Sequence, residues 1–281
     1  MIEVSLGIII FIIIVAFLCE YIDSTLGMGY GTILTPVLLI LGFKPLEVVP
    51  VVLLSELITG FSAAFFHHQE GNVNLKPNTV KFKTIIDNFK SFGIIKSFKE
   101  YFPLDLKVAL VLAACSILGT VVAVFIALNI SKFWLQAYIG SLVLLMGVII
   151  IFNLNKKYNF SWRKVTALGL IASFNKGISG GGYGPLITGG QILVGVESKS
   201  AIGITSLAEG LTCAVGVITY ISASQSSISW KLAPYVILGA ILSVPFSAKS
   251  LKIIDARKLK LAIALLTIFL GIFTLVKLYK F

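Results

Sequence analysis

The sequence predicts an all-α polytopic membrane protein of about 8–10 transmembrane segments, made of two inverted-topology repeats that each carry a glycine-broken helix. Three observations carry this. The 281 residues are 57% hydrophobic and only 12% charged, with a mean hydropathy of +1.00, whereas a soluble domain carries about 25% charged residues. Apolar runs near span length recur along the chain and lack the period of two expected of a β-barrel. Finally, a glycine-rich stretch occurs twice, 153 positions apart.

The repeated stretch reads Gly27-Met28-Gly29-Tyr30-Gly31 in the first half and Gly180-Gly181-Gly182-Tyr183-Gly184 in the second. The register continues without a gap through Thr35/Thr188, Gly42/Gly195, Leu54/Leu207, Glu56/Glu209 and Thr59/Thr212. Shared hydrophobicity would give matches of Leu and Val. A tyrosine, a carboxylate and glycines at one fixed offset indicate duplicated architecture. The expected repeats are 1–152, which includes a basic loop at 67–102, and 153–281.

Taken in order, span 1 is expected at Val4–Ile22, followed by Asp23 and the first glycine break. Thr32–Phe43 is apolar but only about 18 Å long as a helix, so it reads as half of a broken span. Lys44-Pro45 marks a turn. Span 3, Val48–Phe66, carries Glu56. The polar segment His67–Phe102 holds six lysines, and 80–101 reads as a basic helix lying on the membrane surface. Leu106–Leu128 and Phe133–Phe152 form an antiparallel hairpin. The second half repeats the order: Val165–Phe174, the second break over Asn175–Gly184, the short run Pro185–Val196, then Ala201–Ile221 with Glu209, Leu232–Ser247 and Leu261–Tyr279. If each short run crosses together with its break, each half has five segments, and sixteen of the 23 basic residues fall on one side. Basic loops favour the cytoplasmic side, which supports five plus five. An odd number per half inverts the second copy, and broken helices in inverted repeats are a design of secondary transporters.

Glycine-rich backbone is tolerated in lipid only where it is buried or lines a wet cavity. Consecutive amides leading into a new half-helix make an anion site. The candidate substrate-binding residues are therefore Gly27, Gly29, Tyr30, Gly31, Gly180, Gly182, Tyr183 and Gly184, the two tyrosines supplying hydroxyls at its edge. Ionisable residues inside spans are functional candidates by default. They are Glu20, Asp23, Glu56, Lys176 and Glu209. Asp23 and Lys176 are equivalent in the repeats and are expected near each other, either as an ion pair or with Lys176 offering its charge to substrate. Asp23, Glu56 and Glu209 are candidates for coupling or structural roles, because a buried carboxylate can take up a proton.

Asp23-Ser24-Thr25-Leu26-Gly27-Met28-Gly29-Tyr30-Gly31 and its copy, with Leu54-Ser55-Glu56 and His67-His68-Gln69-Glu70-Gly71-Asn72-Val73, resemble the TauE/SafE sulfite exporter family. The resemblance covers both halves. It implies a multi-pass transporter in the cell membrane for small sulfur-containing anions such as sulfite and sulfonates. Segment 67–102 is longer than is usual in that family. The lead reading is a secondary, proton-coupled carrier, with an anion channel as the alternative.

Other classes find no support in the residues. No nucleophile elbow or phosphate loop points to an enzyme, and nothing points to a cofactor. Adjacent His67 and His68 point to different faces of a helix, so no metal site is expected. The net charge of +11 resides in loops and reads as membrane orientation rather than nucleic-acid binding. The expected partners are the lipid bilayer and a small anionic substrate. Cys19, Cys115 and Cys213 read as small buried side chains.

Overall fold

The structure, a computed structural model, describes residues 5–77, 102–152, 161–193, 196–223, 228–251 and 256–280. The expected surface helix at 80–101 lies outside them. The described residues form ten helices and no strand: α1 Leu6–Leu26, α2 Tyr30–Ile40, α3 Pro45–Gln69, α4 Leu104–Asn129, α5 Lys132–Phe152, α6 Trp162–Ser179, α7 Tyr183–Leu193, α8 Ser198–Ala223, α9 Ala233–Ser250 and α10 Ala256–Lys280. Six of them (α1, α3, α4, α5, α8 and α9) are long and apolar enough to cross a membrane. The chain is a multi-pass membrane protein.

Apolar side chains fill the interior and also cover the outside of the bundle. Large apolar side chains such as Leu6, Phe65, Leu118, Phe152, Ile218 and Phe269 face outward, where lipid tails solvate them. The interior holds Glu20, Glu56, His67, Lys176 and Glu209 along with many Ser and Thr. Exposed Trp134, Trp162 and Trp230 sit at helix ends, the position that amphipathic indoles favour at a membrane interface.

The half-helices α2 and α7 begin at Tyr30 and Tyr183, two residues earlier than hydropathy alone suggests. Each follows a left-handed glycine that ends the preceding helix, Gly27 at φ 66° and Gly180 at φ 72°. The same 153-residue offset therefore relates α1 to α6, α2 to α7 and α3 to α8. The helices between them are kept close by small residues. Gly60 of α3 meets Gly210 of α8, Leu53 meets Gly216, and Val73, just past α3, meets Gly203. The first repeat's numbers rise as the second's fall, so α3 and α8 run antiparallel. By the same kind of contact α4 and α6 run parallel, through Leu112/Gly169 and Ala123/Gly177. So do their counterparts α9 and α1, through Gly239/Ile13 and Phe246/Phe17.

Candidate functional site

The two breaks lie directly against each other. A Cβ on Gly31 would fall on the Gly180 carbonyl, 2.6 Å from its carbon and 2.9 Å from Gly181 Cα. A Cβ on Gly184 would lie 2.8 Å from Met28 Cα. Only a bare Cα permits that approach. Thr188 Oγ1 crosses between the halves and donates to the Gly27 carbonyl at 2.7 Å. The peptide planes of the two motifs therefore fill the space between them in this conformation.

Beside this contact lies a buried ion cluster. The Lys176 ammonium pairs with Glu56 and, at 2.7 Å, with Glu209. Lys176 is fully buried, and the two glutamates are almost so. Each comes from a different helix: Lys176 from the last turn of α6, and the glutamates from the middles of α3 and α8, near where these cross. The acid at the position equivalent to Lys176, Asp23, is not its direct partner. Half-buried Asp23 accepts a hydrogen bond from the Tyr30 amide at 3.2 Å, capping α2 where its N-cap, Gly29, offers no side chain. The side chain at this position thus differs in role between the repeats: a carboxylate closes the start of α2, whereas an ammonium bridges the glutamates before α7. Glu20 joins the cluster through Thr59, whose hydroxyl donates to it at 3.1 Å.

The acids outnumber the base. Carboxylate oxygens of Asp23, Glu56 and Glu209 come within 4.8 Å of one another. Glu56 Oε1 is buried without a hydrogen-bond partner. One ammonium thus faces three carboxyl groups. A cavity of about 10 Å³ lined by Glu20, Asp23, Glu56, Thr59, Ser206 and Glu209 adjoins the cluster. That is room for about one water molecule.

The tyrosines do not line an open cavity. Both Tyr30 and Tyr183 are completely buried, and the Tyr30 hydroxyl is 2.6 Å from Ser55 Oγ. At the second break Gly182, at φ 77°, faces Leu142 and Asn175, and Asn175 accepts from Tyr138 at 2.7 Å. Gly29, its counterpart, faces Ile22. Glu20's coupling to Thr59 and the Tyr138–Asn175 pair escaped sequence reasoning, since neither is duplicated at the 153-residue offset.

The family model for the sulfite exporter TauE/SafE matches residues 12–82 and 85–274. The chain belongs to the sulfite exporter TauE/SafE family. Among similar proteins is a probable membrane transporter protein, YtnM, of Bacillus subtilis (strain 168). It is 24% identical over 249 residues, covering 83% of this chain and 71% of that protein. No solved structure matches the chain. Membership makes this a membrane transporter.

Proposed function

We propose that the protein is a proton-coupled secondary transporter of small sulfur-containing anions, sulfite or sulfonates, in the cell membrane. Its two units, 1–152 and 153–281, are inverted repeats. The antiparallel packing of the equivalent helices α3 and α8 supports this, since a two-fold axis along the membrane normal would leave them parallel.

The observation that carries the reading is the Lys176 ammonium held between Glu56 and Glu209, beside both glycine breaks. A proton arriving on either glutamate frees part of the ammonium's charge. That charge then serves an incoming anion, with the amides of Gly29, Gly31, Gly182, Tyr183 and Gly184 supplying hydrogen bonds as the breaks part and the turns at Gly27, Tyr30 and Gly180 shaping the cradle. Proton and anion enter as a nearly neutral pair, which reduces the cost of carrying charge through the low-dielectric centre. The role proposed for the cluster is carriage: it offers charge and hydrogen bonds to a passing ion.

The test is uptake of labelled sulfite, sulfonates and sulfate into proteoliposomes under an imposed pH gradient. Saturable uptake of a sulfur anion that grows with the gradient supports the proposal. Unsaturable flux driven by voltage alone makes the protein a channel.

A further inference from the structure

Two hydrogen bonds away from the ion cluster are related by the same 153-residue offset. In the first half, His67 Nε2 donates to the Ser24 carbonyl at 2.8 Å. In the second, the Tyr220 hydroxyl donates to the Gly177 carbonyl at 3.1 Å. His67 and Tyr220 are equivalent positions, and so are Ser24 and Gly177. The final four carbonyls of a helix have no partner within it. Here the fourth from the end takes the amide of the left-handed glycine, Asp23 from Gly27 and Lys176 from Gly180. The next, Ser24 or Gly177, takes a side chain from the long helix of its own repeat. The repeats thus make one bond with two unrelated donors, an imidazole and a phenol. Both donors are buried.

Each bond sits one turn before a glycine break, where the helix ends. They lie on opposite sides of the ion cluster. Counting from the Gly60–Gly210 crossing, His67 is roughly 10 Å along α3 and Tyr220 roughly 15 Å along α8, and these helices run in opposite directions. The ion cluster lies between them. The His67 bond is further braced, because Asn72 Nδ2 lies 3.1 Å from His67 Nδ1 and 3.2 Å from the Ala248 carbonyl of α9.

We propose that His67–Ser24 and Tyr220–Gly177 are the two latches of the carrier. Each closes one end of the central site by holding its broken helix against the long helix of its repeat. Opening one while the other stays shut admits substrate from one side only, and the structure has both shut. This rests on the alternating-access reading above, but its test requires no substrate.

The reporter is Cys213, which is fully buried and whose Sγ lies 3.9 Å from Glu56 Oε2. In a Cys19→Ser, Cys115→Ser background it becomes the sole thiol. A membrane-impermeant maleimide is applied to oriented vesicles from either face. Tyr220→Phe, which removes one oxygen and little volume, raises Cys213 labelling from the Tyr220 face alone. His67→Leu raises it from the His67 face alone. The expected gain is roughly threefold to tenfold, the population shift that one net hydrogen bond supports. His67→Gln keeps a donor at that position and returns labelling toward the parent rate. Equal gains from both faces mean general loosening and overturn the proposal, as does unchanged labelling in both variants. Absence of sulfur-anion flux in the unaltered protein, with one-sided labelling intact, would count against the proposed substrate and leave the latches standing.

Discussion

Replacing Lys176 with methionine removes the ammonium that pairs with Glu56 and Glu209 and roughly preserves side-chain length. Lys176 is fully buried, with Nζ 2.7 Å from Glu209 and paired with Glu56. Deleting one partner of a buried ion pair costs about 3–5 kcal/mol, because the other charge stays behind without its counter-ion. At about 2–4 °C per kcal/mol for a chain of this size, the melting temperature falls by about 6–20 °C. The three buried cysteines make the assay direct: in detergent, a thiol-reactive fluorogenic dye lights up as unfolding exposes them. The triple variant Glu56→Gln/Lys176→Met/Glu209→Gln leaves neither glutamate charged without its counter-ion and should recover at least half of the loss. A Lys176→Met protein melting within about 2 °C of wild type would refute the reasoning, since that falls below the smallest loss expected. So would a triple variant no more stable than the single one.

Other substitutions probe the remaining parts. Gly31→Ala puts a methyl group onto the Gly180 carbonyl, and backbone cannot step aside as a side chain can. It should cost at least about 3 kcal/mol, the upper part of the overpacking range, read as a lower melting temperature together with lost transport. Asp23→Ala uncaps α2 at Tyr30 and should cost about 0.5–2 kcal/mol by the same thermal assay. Gly182→Val adds a branched side chain at φ 77°, 3.2 Å from Leu142, and should abolish anion binding in isothermal titration while the protein still inserts into membranes. Glu209→Gln should flatten the pH profile of uptake before it weakens binding; if the profile survives, Glu209 only anchors Lys176.

Much of this architecture was legible in the residues because two different signals coincided. Lipid forces long apolar runs, and duplication repeats rare residue types at one offset. Together they located the breaks, the half-helices and the in-span residues Glu20, Asp23, Glu56, Lys176 and Glu209. They did not say which of those residues meet. Asp23 and Lys176, at equivalent positions, are expected near each other, either as an ion pair or with Lys176 left for substrate; in the fold Lys176 pairs with the two glutamates and Asp23 caps α2. Chain offset relates positions by symmetry, whereas contact depends on which side of the axis a side chain points. Nor could sequence say that the motifs touch: glycine permits both an open amide cradle and a close backbone contact, and the fold uses the second in this conformation. His67 and Tyr220 lay at the same offset as the motif, yet two unlike residues raise no identity signal. Their equivalence shows only in the carbonyls they hold.

Co-movement of protons with sulfite tests the central claim most directly. Proteoliposomes loaded with a pH-sensitive dye, clamped at zero voltage and given external sulfite at fixed pH, should show a lumenal pH change that saturates with sulfite. It should vanish in Glu56→Gln/Glu209→Gln vesicles that still bind the anion. Sulfite uptake that leaves the dye signal unchanged beyond passive leak, or an undiminished signal in the double variant, would contradict the account.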